Sequence, residues 1–246
     1  PRASVSPRID GDIRDWPVEA LSVGSIKLGG SVSKEARPAD YPFPEPPPVE
    51  QSAIGKTVTI GPFEPDAPAF GADAAFMWDD KNLYFMAVVE NKNFVQNYSG
   101  TEVWRQDSIQ IAFDPLDNGA GNRTVSGAQF VAKTNEEYYS ADDYEYALAL
   151  TKDGPVITRI VAPPGMSTGY QELGKVAVRH GNGLTYYEAA LPWELLAPYK
   201  PGSGQRFRVE ITVNNYENND RYTLGWVRAI RAGKFPSRFV PVILER

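Results

Sequence analysis

Trp104-Arg105-Gln106-Asp107-Ser108-Ile109-Gln110-Ile111-Ala112-Phe113-Asp114-Pro115 is the stretch whose reading decides the fold. From Asp107 to Phe113 it alternates as a β-strand does: Ile109, Ile111 and Phe113 fall on one face, Ser108, Gln110 and Ala112 on the other. If the extended run reaches back to Trp104, then Trp104, Gln106, Ser108 and Gln110 share the polar face. A flat ring beside amides suits a sugar, which offers C–H faces to stack and hydroxyls to bond. Asp114-Pro115 closes the strand and opens a polar loop from Leu116 to Gly121.

The same alternation recurs on both sides. Ala74 to Trp78 and Leu83 to Glu90 read as strands joined at Asp79-Asp80-Lys81-Asn82, the second apolar on both faces and therefore central. Tyr144 to Leu150 and Pro155 to Ala162 make a hairpin across Asp153-Gly154, and Lys175 to His180 and Leu184 to Ala190 another across Gly181-Asn182-Gly183. The alternation is cleanest from Gln205 to Asn215, with Phe207, Val209, Ile211 and Val213 inward. Gly127 to Thr134, Arg221 to Val227 and Arg238 to Leu244 read as further strands. Leu191 to Leu196 is the one clear helical turn, with Pro192 at its first position and Pro198 ending it. About a dozen strands and one helical turn predict an all-β fold, a β-sandwich of two mainly antiparallel sheets.

The 246 residues allow one sizeable core, and residues 1–246 are expected to form a single domain. Six prolines between Pro38 and Pro48 make the region of about 30–52 a Pro-rich insertion that cannot be helix or central strand. With 31 acidic against 25 basic residues and no basic stripe, nucleic acid is not an expected partner. No apolar run reaches the length of a membrane span, and the chain begins at Pro1 without a recognisable signal peptide, as a mature fragment or excised domain would. The absence of cysteine removes disulfides, thiolate metal sites and cysteine nucleophiles.

Catalytic patterns are missing: there is no phosphate-binding glycine loop, no His-Glu-x-x-His and no Gly-x-Ser-x-Gly. The single histidine, His180, reads as a hairpin-edge residue, so a triad or a histidine zinc site is not expected. The acidic pairs Asp79-Asp80, Glu136-Glu137 and Asp142-Asp143 read as solvated loop carboxylates rather than a glycosidase pair facing across a cleft, while oxygen-rich loops can also hold calcium. Near the start, Asp10 and Asp12 flank Gly11. This is either a tight turn capped by aspartates or part of a calcium site.

Four stretches together resemble carbohydrate-binding module family 9. They are Ile9-Asp10-Gly11 with Asp15-Trp16; Trp104-x-Gln106-Asp107-Ser108-Ile109-Gln110-Ile111-Ala112-Phe113-Asp114; Leu191-Pro192-Trp193 with Leu195 after Glu188-Ala189-Ala190; and Gly225-Trp226 followed by Gly233-Lys234-x-Pro236-Ser237-x-Phe239. The resemblance implies a calcium-stabilised sandwich, with Asp10, Asp12, Asp114 and Asp117 as candidate ligands. It also implies polysaccharide or oligosaccharide binding, fusion to or association with a carbohydrate-active enzyme, and a secreted, periplasmic or cell-surface location.

The family clamps a sugar between two tryptophans. Trp104 matches the first. The loop from Val227 to Lys234 has no second Trp, and Phe235 is the nearest aromatic. The strand position that is usually acidic is Gln110, and Val131 stands where an Arg is expected. The expected site is therefore Trp104 as platform, Gln110, Gln129 and Asn214 bonding hydroxyls, and Lys234 or Phe235 closing the far side. Trp226 reads as a core residue.

Three other readings compete with a non-catalytic glycan-binding module. One is a structural or interdomain sandwich without its own ligand. Another is a haem b electron-transfer domain ligated by Met77, Met86 or Met166 with His180 or a lysine. The last, a lyase or hydrolase using Tyr and Arg or carboxylates, has no motif in its support.

Overall fold

Alternating apolar residues give each strand a core face, and the turns between them set which strands become neighbours. A computed structural model describes residues 1–17, the backbone of 25–29, and residues 70–119, 139–226, 229–230 and 234–245. The Pro-rich segment of about 30–52, the expected strand at Gly127 to Thr134 and Gln129 lie outside these residues. The strands are β1 (Ser25–Gly29), β2 (Gly71–Trp78), β3 (Asn82–Glu90), β4 (Ser108–Asp114), β5 (Tyr144–Thr151), β6 (Gly154–Val161), β7 (Gly169–Tyr170), β8 (Lys175–Gly181), β9 (Leu184–Pro192), β10 (Arg206–Glu217), β11 (Asp220–Gly225) and β12 (Val240–Ile243).

They form the expected all-β sandwich. One sheet runs β1-β2-β3-β9-β8; the other runs β11-β10-β4-β5-β6-β7, with β12 also paired to β10. Every pairing within the two sheets is antiparallel. Ile109, Ile111 and Phe113 of β4 join Phe207, Val209, Ile211 and Val213 of β10 in the core, against Phe76, Trp78, Phe85 and Leu191 of the facing sheet. No helix among the described residues is long and apolar enough to cross a membrane.

Three local readings differ from the structure. Strand β4 begins at Ser108 and does not reach Trp104, because Gly100–Arg105 forms a 3-10 turn closed by Gln106 N–H on the Val103 carbonyl. Pro192 ends β9 instead of opening a helix; the 3-10 turn covers Trp193–Leu196. Short 3-10 turns also occur at Ile13–Asp15 and Pro236–Arg238, where the sequence pattern suggested only one helical turn.

Strand β3 is central and apolar on both faces for a specific reason. Phe85 and Ala87 face the main core, while Tyr84, Met86 and Val88 pack under Ile13 and Trp16 of the N-terminal segment. Met77 and Met86 are packing residues of that second cluster. Glu188 of β9, fully buried, anchors the segment. It accepts from Gly11 N–H (2.5 Å), Asp10 N–H (3.2 Å) and Trp16 Nε1–H (2.7 Å). Gly11 has φ of +83°, and a Cβ there would run into the Arg179 side chain. Glu188→Ala should therefore cost about 2 kcal/mol in urea unfolding, since it strands buried donors. An unchanged midpoint would show that the segment contributes nothing to stability.

Candidate functional site

The outer face of the seven-stranded sheet is polar where a solvated sheet face would be, yet it is covered. Gln110 of β4 is 4 % exposed and Asn214 and Thr212 of β10 each 2 %. Register sets Thr212 opposite Gln110 and Asn214 opposite Ser108. Asn214 Nδ2 donates to Gln110 Oε1 (3.0 Å) and Ser108 Oγ (3.1 Å), and Gln110 Nε2 donates to Glu145 Oε1 of β5 (2.5 Å). Thr212 Oγ1 has no hydrogen-bond partner among the described residues.

Trp104 stands at one end of this polar floor. The 3-10 turn carrying it is seated by Val103, which packs on Ala147 and Ala149 of β5. The indole is half-buried. The Arg221 guanidinium carbon lies 4.6 Å from its ring centre and that of Arg105 5.1 Å away. Arg221 Nη1 also donates to Asn214 Oδ1 (2.9 Å). Indole, guanidinium and amides therefore form one continuous row from Trp104 to Gln110.

A cover stands at the other end. Lys234 Nζ and Tyr139 OH both donate to Glu145 Oε2 at 2.5 Å. Glu145 is fully buried, so this carboxylate is the junction of floor and cover. Burial, and then the Glu145 charge, push the Tyr139 hydroxyl well above its ordinary pKa. Phe235 belongs to the apolar part of the cover, packed with Ala112, Tyr139 and Phe239, and the Arg238 guanidinium carbon lies 4.6 Å from its ring centre.

The candidate metal ligands separate into two groups. Asp114, Asp142 and Asp143 each bring a carboxylate oxygen within 4.8 Å of the others. Asp142 Oδ2 and Asp143 Oδ1 are buried without a hydrogen-bond partner among the described residues. Asp114 accepts from Asn118 N–H (3.2 Å) and Gly119 N–H (3.0 Å). Burial, then the neighbouring carboxylates, raise the Asp114 carboxyl above the usual range and push that of Asp143 up to about 8. Partnerless buried carboxylate oxygens beside a third acid are a donor set that fits a hard cation. This cluster can hold a metal. Asp117 faces elsewhere and pairs with Arg206 and Arg208.

Asp10 and Asp12 form the capped turn. Asp10 Oδ1 accepts from Asp12 N–H (2.9 Å), and Asp12 Oδ1 accepts from Arg14 N–H (3.2 Å). The side-chain bond from Arg14 holds the Asp12 carboxyl down at about 2.

The structure thus brings Trp104, Gln110, Asn214 and Lys234 into one network, with Phe235 in its cover. Sequence reasoning missed Arg221, Glu145, Tyr139 and the Asp142–Asp143 half of the acidic cluster. Asp142-Asp143 was expected to be solvated. Instead the turn at Ser140 folds it back, Ser140 N–H donating to Asp143, and Asp143 is fully buried. A signal for Arg221 exists: Asn218 and Asn219 both take positive φ, the pattern of a tight two-residue hairpin, which sets Arg221 opposite Tyr216.

Residues 53–245 match the family model described as Carbohydrate family 9 binding domain-like. Over 172 residues, 70 % of this chain, the sequence is 25 % identical to endo-1,4-beta-xylanase A of Thermotoga neapolitana; the chain spans about 13 % of that protein's length. The fold is similar to a carbohydrate binding module family 9 from Caldicellulosiruptor kristjanssonii in complex with glucose (TM-score 0.59, 18 % identity, covering 100 % of this chain and 95 % of that one). It is likewise similar to the module from that organism in complex with cellotriose (TM-score 0.57, 17 % identity, 98 % and 90 %). The family model covers well over half of the chain, and so this chain belongs to carbohydrate-binding module family 9.

Proposed function

We propose that the protein is a non-catalytic carbohydrate-binding module that receives a sugar ring at Trp104 and targets an attached or partner carbohydrate-active enzyme to polysaccharide outside the cytoplasm, whether secreted, periplasmic or at the cell surface. The observation that carries this reading is the Trp104–Arg221–Asn214–Gln110 row, an apolar ring next to ordered donors and acceptors. The xylanase relative and the glucose- and cellotriose-bound neighbours make plant-type β-glycans the first ligands to test.

Each residue has a distinct role in this reading. Trp104 stacks on the C–H face of the sugar. Arg221 gives N–H donors to hydroxyls at its edge. Gln110 and Asn214, buried and bonded to each other, hold Arg221 in register. Lys234 and Phe235 bound the far side, and Gln129 supplies a further amide. Binding requires the exposed Arg105 guanidinium to slide off the indole face, a contact that costs about 0.5–1 kcal/mol to give up. Asp114, Asp142 and Asp143 would hold calcium, whose two positive charges would offset most of the charge of the three carboxylates and tie the loop after β4 to the turn before β5.

A glycan array probed with calcium and then with EDTA tests the reading. A defined hit is expected, and Trp104→Ala should weaken it at least about tenfold, roughly 1.4 kcal/mol. Unchanged affinity in Trp104→Ala would sink the site. The buried, mutually satisfied state of Gln110 and Asn214 favours the rival reading of a structural or interdomain module, and silence across the array would turn the assignment to that rival.

A further inference from the structure

An exposed tyrosine stands beside Trp104 on a support too well tied to be an ordinary loop. Tyr98 is 41 % exposed. Beneath it, Val95 N–H (2.5 Å) and Asn91 Nδ2 (2.9 Å) donate to the buried Asp107 carboxylate. Asn97 N–H donates to Gln106 Oε1 (2.7 Å), and Gln96 Nε2 donates to the Val103 (2.7 Å) and Asp107 (3.0 Å) carbonyls. Tyr98 N–H itself donates to Gln96 Oε1 (2.9 Å). The backbone leading into Tyr98 is thus fixed to the 103–107 segment that carries Trp104.

The two rings also share a cation. The Arg105 guanidinium carbon lies 5.8 Å from the Tyr98 ring centre and 5.1 Å from that of Trp104. The rings can be no further apart than those two distances laid end to end, so at most two or three linked sugar rings span them. A rigid aromatic with few rotatable bonds, already held in place, gains contact area at little entropic cost.

We propose that Tyr98 is a second stacking subsite, so that Trp104, Arg105 and Tyr98 together receive successive rings of a linear β-1,4-linked glycan. This rests on the carbohydrate-binding reading of Trp104. Arg105, near both rings and with its Nε donating to Glu102, offers its remaining N–H donors to the hydroxyls of the bridging sugar.

The test is calorimetric titration of the wild type, Tyr98→Ala, Tyr98→Phe and Trp104→Ala with glucose, cellobiose, cellotriose, cellohexaose and xylohexaose. The wild type should bind one of the hexasaccharides about tenfold more tightly than glucose. Tyr98→Ala should lose that gain while binding glucose as the wild type does, and Tyr98→Phe should keep it. Tyr98→Ala that binds the hexasaccharide like the wild type, or weakens glucose and the hexasaccharide by one factor, overturns the proposal. A wild type silent with these sugars but positive with another glycan on the array overturns the linear-chain proposal alone. Silence throughout overturns both this proposal and the carbohydrate reading.

Discussion

Calcium should raise the melting temperature of this protein, and should raise it more at about pH 8 than at about pH 5. Asp143 and Asp114 are buried next to each other and to Asp142, and burial raises the carboxyls of Asp114 and Asp143, that of Asp143 to about 8. A carboxyl whose folded pKa exceeds its unfolded value binds a proton on folding. Its stabilising contribution is complete below the unfolded pKa and is lost as pH rises through the folded one. Without metal, stability should fall between about pH 4, the ordinary range of an aspartate, and about pH 8. Calcium binds the ionised form and displaces those protons, so its effect grows across the same window. At free calcium a hundredfold above Kd the gain is about 2.7 kcal/mol.

Asp143→Asn separates this site from other buried acids. It should abolish most of the calcium gain and part of the metal-free pH slope. The remainder comes from Asp114 and, outside the acidic cluster, from Asp107, whose carboxyl burial pushes up to about 7, and Glu188, which burial also raises. Equal melting shifts at both pH values, or a full calcium response in Asp143→Asn, would remove the cluster as a cation site.

The strands were legible in the sequence because period-two alternation is a local property, written in consecutive residues. Gln205 to Asn215 and the Asn182-Gly183 turn, whose residues both take positive φ, needed no tertiary information. Asp107 to Phe113 showed which side chains of β4 face the core. The site was harder to read because it depends on register between strands far apart in sequence. Gln110 meets Glu145 across 35 residues, and Lys234 meets Glu145 across 89. Extending the strand back to Trp104 placed it on the polar face by counting, whereas a 3-10 turn carries it there. The Asp142-Asp143 pair looked solvated because a sequence does not reveal that Ser140 folds the turn onto Asp114.

Breaking the Lys234–Glu145 contact should cost more stability than removing the Glu188 anchor of the N-terminal segment. Lys234 takes φ of +66°, a left-handed conformation that costs a non-glycine residue about 1 kcal/mol, so the ammonium is held in place against the local backbone preference. Its partner carboxylate is fully buried and also accepts from Gln110 and Tyr139. Lys234→Met leaves that charge without its cation and should cost about 3–5 kcal/mol in urea unfolding; Glu145→Met, which strands three donors, should cost a similar amount.

The double variant should lose clearly less than the two single losses added together, because an apolar pair replaces an ion pair of similar volume. Strictly additive losses would mean that the two groups do not act as a pair. That distinction bears on binding as well as folding. A coupled pair fixes Lys234 and Tyr139 on the carboxylate that also accepts from Gln110, so in the proposed site the Lys234 end of the polar row is held rigid. An uncoupled Lys234 would leave that end free to move while Gln110 stayed bonded to Asn214.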